Sequence, residues 1–331
     1  MVDFAGWNLP VQYTGVIEEH KAVRTGCGLF DASHMGEAIV EGARAVEFLN
    51  AAFTNEFSSL KIWSARYTVF CNPDGTCADD IIVYRLSENA YMLVLNASNT
   101  EKDLSLLADV AKGFSDVSLV DVSDTIALLS VQGPTSQEVM GEVFGADFSR
   151  MRRFTFVKLG DDIISRTGYT GSDGFEIFCP TSSAETLAEK ICETDKVALC
   201  GLGARDSLRT EACYPLYGHE ISDAITPLEA GLEKFVNFSK NFVGSEALLK
   251  QRESGLKKKV FWFAAQGRRI VRAGDEIFCG DSVAGRALSG VWSATAERPL
   301  GSALLGNRKY IGEHLYAKIR DNIINLELRG K

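Results

Sequence analysis

The chain has 331 residues, 46% hydrophobic and 24% charged, the make-up of a globular protein long enough for two or three domains. A net charge of −9 argues against a nucleic-acid binder, which would carry a basic face, and no apolar run is long enough to span a membrane. Eight cysteines without a Cys-x-x-Cys pair, and only four histidines, give no metal-type spacing, so no metal site is expected.

In chain order, residues 1–7 read as an apolar loop or short strand. Residues 16–24 read as a helix stopped by Gly26 and Gly28. A short strand then runs into the loop around Ser33-His34, and residues 38–40 form another strand. Helices are predicted over 43–52, 100–110, 135–144, 183–193, from the glycine turn near Gly203 to 211, and within 240–250. Asn99-Thr100 looks like a helix cap, and Asp206 is expected in the first turn of its helix. Strands are predicted over 65–70, 81–84, 91–95, within 120–131, and as a pair around Gly160. The glycine-rich stretch 168–176 enters a further strand. Lys257-Lys258-Lys259 reads as a solvated linker. Beyond it, six short strands separated by glycine turns suggest a small β-barrel. The first 250 residues lack regular βαβ alternation, so the class is α+β.

The stretch the chain is organised around is 72–96. Asn72-Pro73-Asp74-Gly75 is a turn signal, Ile81-Ile82-Val83-Tyr84 is a strand, and Tyr91 to Leu95 is its return. Side chains alternate across a strand. Asp79 therefore shares a core-like face with Ile81 and Val83. Asp80 shares the other with Ile82 and Tyr84, a mixture that suits a ligand cleft.

Other chemistries fit less well. Gly201-Leu202-Gly203 lacks the third glycine of a dinucleotide fingerprint, and no P-loop is present. Ser33 and His34 are adjacent and would point apart on a strand, which favours a structural His34. Carboxylates beside Cys77 would raise its pKa and keep it from acting as a nucleophile. Asp80, Tyr84, Tyr67, Asn96, Tyr169, Glu176 and Arg205 remain, near strand ends or in glycine loops. Each also has an ordinary structural reading: satisfied core tyrosines, a capping glutamate, a helix-start ion pair.

Several segments nevertheless match one family in order: residues 1–7 (MVDFAGW), 30–36 (FDASHMG), Asp79-Asp80 with the strand that follows, Asn96-Ala97, 166–171 (RTGYTG), Gly174-Phe175-Glu176 and 201–206 (GLGARD). Together they resemble the T-protein of the glycine cleavage system, an aminomethyltransferase. The resemblance implies two interleaved α+β domains around a central folate channel within residues 1–256, and a β-barrel over 257–331 that closes over the channel. It implies transfer of the methylene carbon of an aminomethyl group, carried on the lipoyl arm of an H-protein, to tetrahydrofolate. Ammonia, 5,10-methylene-tetrahydrofolate and dihydrolipoyl H-protein would be the products. By the same resemblance Asp80 is the catalytic aspartate, Glu176 grips the pterin, Arg205 belongs to the folate site, and Met35, Tyr67, Tyr84, Asn96 and Tyr169 line the channel. A cytoplasmic location is expected, or the mitochondrial matrix for a eukaryotic chain with its leader removed. The barrel departs from the family's Thr-Ser-Gly…Ser-Pro-Thr-Leu-Gly pattern at 288–297 (LSGVWSATAE). Two other functions share these features: a folate-dependent demethylase of the same superfamily, and a non-enzymatic folate-binding paralogue. The latter's Lys-Gly-Cys-Tyr-x-Gly-Gln-Glu motif is matched only in part at 213–220 (CYPLYGHE).

Overall fold

The computed structural model describes residues 1–307, 310 and 313–330. Its first sheet has five antiparallel strands in the order Ser64–Cys71, Cys77–Arg85, Ala90–Leu95, Gly36–Glu41 and Ser118–Asp121. The second sheet has six, in the order Phe156–Leu159, Asp162–Ser165, Gly174–Pro180, Ile126–Gln132, Gly28–Asp31 and Ala198–Leu199, with only the last pair parallel. The chain begins the second sheet at Gly28, builds the whole first sheet, and returns at Ile126. The two α+β units are therefore interleaved.

Each sheet buries both faces. In the helix Ala45–Ala52 the apolar residues Ala45, Phe48, Leu49 and Ala52 recur at helical spacing. They pack, with Leu107 of the helix Thr100–Ala111, on Ala38, Val40, Ile81, Val83 and Leu93 of the first sheet. Helices Ser136–Phe144 and Ala184–Cys192 cover the second sheet in the same way, through Val139, Met140 and Ile191. Between the sheets lies a third core, including Ala65, Tyr84, Met92, Val94, Leu128, Phe156 and Phe178. Tyr84 meets Phe156 and Phe178 edge-on at 5.4 and 5.2 Å, contacts that add about 0.5–1.5 kcal/mol each to simple burial.

The helix Leu202–Glu211 follows, and residues 212–257 wrap back over the first sheet. There Ile221, Ile225, Leu228 and Leu248 meet Val69, Cys71 and Cys77. The predicted 240–250 helix runs over Ser245–Ser254, because Gly244 takes a left-handed φ of 86° and starts it late. Strands Lys258–Ala265, Glu276–Cys279, Ser282–Ser293, Arg298–Gly306, Leu315–Ile319 and Asn322–Arg329 close into a barrel. The basic run is therefore not a linker. Lys258 and Lys259 pair with Gly306 and Leu305 in the first barrel strand, and the Lys258 ammonium donates to the Ala224 carbonyl at 2.7 Å. No helix among the described residues is long and apolar enough to cross a membrane.

Candidate active site

Asp80 lies on the strand Cys77–Arg85, whose residues Ile81 and Val83 face the helices and whose Ile82 and Tyr84 face the gap between the sheets. The strand's two-residue period puts Asp80 on the gap side, as the alternation requires. There a cavity of about 470 Å³ opens, lined by Asp80, Met35, Tyr67, Tyr84, Asn96, Tyr169, Glu176 and Arg205. The fold thus brings together all eight residues singled out from the sequence. Only Tyr84 is fully buried; the others are half-buried and open onto the cavity.

Asp80 accepts from the Tyr67 hydroxyl at 2.8 Å and from the Asn96 side-chain amide at 2.9 Å. Tyr67 pairs with Ile82 across the sheet, one step diagonal to Asp80, which is within reach of a long aromatic side chain. Withdrawal from bulk water raises the Asp80 carboxyl to about 7, and the neighbouring Asp79 charge pushes the same way. The Tyr67 and Asn96 hydrogen bonds work against both. A carboxyl raised toward neutrality on a cavity wall marks Asp80 as a candidate functional group.

Asp79 points to the helix side but not into an apolar core. Its carboxylate accepts from the Asn96 amide at 2.8 Å, from the Asn96 backbone N–H at 3.3 Å and from the Asn99 amide at 3.0 Å. Asn99 therefore does not cap its helix: its side chain is spent on Asp79, and no side-chain cap bond forms.

The opposite wall comes from the second sheet and the loop before it. Glu176 accepts from the Thr167 hydroxyl at 2.5 Å, and Thr167 also meets the Tyr84 hydroxyl at 3.2 Å. Desolvation raises the Glu176 carboxyl, opposed by the Thr167 bond and the Arg205 charge. The loop's glycines are needed for close approach. A β-carbon at Gly168 or Gly174 would lie 2.0 or 2.5 Å from the Gln132 side chain, whose amide binds the Thr167 carbonyl and the Thr170 hydroxyl. Gln132 is thus the post on which the loop carrying Tyr169 is hung. The Tyr169 hydroxyl donates to the Pro215 carbonyl, and its ring lies near that of Tyr214.

Arg205 enters from the helix Leu202–Glu211. Its guanidinium donates to His34 Nε2 at 3.3 Å, touches the Met35 sulfur and sits 5.4 Å from the Tyr169 ring centre. His34 lies in the turn after the strand Gly28–Asp31, not on it. Burial and the Arg205 charge hold its imidazole down at about 3, so it is neutral and accepts the arginine proton. Asp206 is in the second turn, and its ion-pair partner is Arg209 at 2.7 Å, not Arg205. This leaves the Arg205 guanidinium turned to the cavity.

The sequence reading missed Thr167, Tyr214, Phe235, Lys234 and Arg153, which also line the cavity. Thr167 stood inside a stretch already singled out. Phe235, which meets Tyr67 edge-on at 4.6 Å, lies in a short turn with no local signal. No described barrel residue lines the cavity, so the expected closure by the barrel is corrected. The divergent stretch 288–297 instead grips the helix that carries Arg205. Ser289 accepts from Arg209 at 2.9 Å and Ser293 donates to Glu211, while Thr295 meets His20 Nε2, on the neighbouring helix Val16–Thr25, at 3.1 Å.

Comparison with known proteins gives a consistent result. The family model described as "GCVT N-terminal domain" matches residues 1–240. The aminomethyltransferase of Caldanaerobacter subterraneus subsp. tengcongensis is 45% identical, covering 97% of this chain and 88% of that protein. The aminomethyltransferase of Alkaliphilus oremlandii is 41% identical, covering 100% and 92%. Among solved structures, the glycine cleavage system aminomethyltransferase T from Bartonella henselae superposes with a TM-score of 0.94 at 33% identity, over 99% of this chain and 92% of that one.

Proposed function

The chain belongs to the family of glycine cleavage system aminomethyltransferases, and we propose how its cavity carries out that transfer. The one-carbon acceptor is tetrahydrofolate, and the donor is the aminomethyl group on the lipoyl arm of a partner H-protein. Membership of a folate-dependent family supports both assignments, and so does the cavity's chemistry. Glu176 is a desolvated carboxylate able to accept two adjacent N–H groups from a pterin edge. Tyr67, Tyr84 and Tyr169 supply walls for a flat ring, with Met35 filling between them. Arg205, whose side-chain hydrogen bonds go to a neutral histidine and a thioether, has donors to spare for an anionic or carbonyl group of the folate.

In the reaction two folate nitrogens bond in turn to the methylene carbon, replacing that carbon's bonds to the amino nitrogen and to sulfur. The two N–H protons that the folate loses equal those gained by the ammonia and the thiol. Positive charge develops on the iminium between these steps. Asp80 is the carboxylate that meets it. At ~4 Å and an effective dielectric of roughly 20, the attraction is about 4 kcal/mol, a useful share of a catalytic barrier. The observation that carries this reading is the fixing of Asp80 on the cavity wall by Tyr67 and Asn96.

The test compares Asp80→Asn with Asp79→Asn in single-turnover formation of methylene-tetrahydrofolate from aminomethylated H-protein, beside folate affinity. Asp80→Asn keeps shape and loses charge, so it should bind folate nearly normally and turn over about 10²–10³-fold more slowly. Asp79→Asn should show its main effect in thermal stability. Near-normal turnover by Asp80→Asn, with Asp79→Asn dead, would reverse the two assignments.

A further inference from the structure

Three buried hydroxyls stand behind Glu176, and the transfer described above gives none of them a task. Those of Tyr84 and Ser165 are fully buried, and that of Thr167 nearly so. Ser165 lies directly opposite Glu176 on the neighbouring strand of the second sheet. Tyr84 comes from the first sheet, on the strand face it shares with Asp80. Thr167, in the loop after Ser165, meets all three groups: the Tyr84 hydroxyl at 3.2 Å, the Ser165 hydroxyl at 2.9 Å and Glu176 Oε2 at 2.5 Å. A hydroxyl has one proton and two lone pairs, and a carboxylate can only accept. The Thr167 proton therefore lies on Glu176. Tyr84 and Ser165 then donate to the Thr167 oxygen and fill both of its lone pairs.

We propose that Thr167 is a positioning residue for folate: as the junction of the Tyr84, Ser165 and Glu176 side chains, it holds the Glu176 carboxylate in one orientation toward the pterin. The proposal rests on the reading of Glu176 as the carboxylate that accepts from the pterin edge. Thr167 takes one lone pair of Oε2. The other, and both on Oε1, are left for the ligand's N–H groups, and no protein group among the described residues donates to Oε1.

The surroundings agree. The backbone of Thr167 is itself fixed, because the Gln132 amide donates to its carbonyl at 3.1 Å. Two incoming donors polarise the Thr167 hydroxyl and strengthen the bond it makes. The 2.5 Å separation from Glu176 is that of a hydroxyl donating to an ionised carboxylate. Burial raises the Glu176 carboxyl, and the Thr167 bond opposes that rise, with the Arg205 charge adding to it. The junction also spans the two sheets. Tyr84 shares its strand with Asp80, so the chain of hydroxyls sets the pterin grip on one wall relative to the carboxylate on the other.

Calorimetric titration of the intact chain with tetrahydrofolate tests this. Thr167→Ser keeps the hydroxyl and should bind within about threefold of wild type. Thr167→Val keeps the shape, loses the proton and should bind at least about tenfold more weakly. A merely structural role would cost the same whether or not Glu176 is present. Made on top of Glu176→Ala, Thr167→Val should therefore weaken binding less than about threefold further. A valine variant that binds like wild type, a serine variant as weak as the valine one, or the full loss repeated over Glu176→Ala would each overturn the proposal. If the double variant binds too weakly to measure, the contrast of serine with valine decides. Should the valine variant not fold, Tyr84→Phe decides, since it keeps the ring and removes one donor to Thr167. It should bind at least about threefold more weakly, and wild-type affinity would overturn the proposal. If Glu176→Ala alone binds like wild type, the reading of Glu176 fails and the positioning role falls with it. A tenfold loss in Thr167→Val would then mean that Thr167 touches the folate itself.

Discussion

Asp80 is unusual in being a carboxylate that the fold penalises for carrying charge. Its folded pKa of about 7 lies above the ordinary value of 3.8. The folded state therefore binds the proton more tightly than the unfolded chain. The corresponding stability is fully present below about pH 4 and is lost as pH rises through about 7. Asp80→Asn cannot titrate, so the melting temperature of the variant minus that of wild type should widen from about pH 4 to about pH 8. A constant gap would mean that Asp80 is no more desolvated than a surface aspartate. Asp103, at about 10, titrates outside that window. Glu176 makes the complementary case, a desolvated carboxylate that we propose meets the folate. Glu176→Ala should weaken folate binding by about 2–5 kcal/mol, the usual cost of removing one side of a buried charged contact. Calorimetry that shows unchanged affinity would remove Glu176 from the site.

The helix Leu202–Glu211 ties the cavity to the barrel. Arg205 projects toward the cavity, and one turn later Arg209 is buried with Glu220, its guanidinium 2.7 Å from the carboxylate. Burial alone would raise Glu220, but the Arg209 charge and hydrogen bonds from Ser289 and Ser302 hold it below the usual range. Such a pair adds little against a well-packed apolar substitute, yet breaking it leaves an uncompensated buried charge. Arg209→Met should therefore cost about 3–5 kcal/mol in urea unfolding, whereas Arg209→Met with Glu220→Leu should recover most of that loss. A single variant as stable as wild type would mean that water replaces the arginine, and that the helix is held by packing alone.

The same contacts bear on how the chain divides. We propose a boundary between residues 256 and 257, with the barrel beyond it acting as a buttress and not a lid. The barrel contributes Val260, Leu288 and Leu304 to the apolar cluster over the first sheet, and Ser289, Ser293, Ser302 and Thr295 to the polar contacts with residues 20, 209, 211 and 220. A chain ending at residue 256 should therefore lose near-ultraviolet circular dichroism and folate binding together, because Arg209 and Glu220 become exposed on one side. Full retention of both would show that the barrel is energetically dispensable.

Strand alternation is a local steric property, so the sequence alone determined that Asp80 and Tyr84 share a face, and that Asp79 shares the other with Ile81 and Val83. Short strands punctuated by glycine likewise announced the barrel, and the ordered motifs announced the family and the eight cavity residues. What lies around Asp79 was decided by tertiary structure. Asn99 reads as a helix cap, until the helix Thr100–Ala111 packs against the sheet and turns its side chain toward the Asp79 carboxylate. Lys258 reads as solvated linker because its pairing partner, Gly306, is far along the chain. Arg209 carries no local signal, because Glu220 and Ser289 reach it only in the folded molecule. Local periodicity fixes which way a side chain points. Which group it meets there, and so whether it is charged, buried or free for a ligand, depends on segments that only folding brings together.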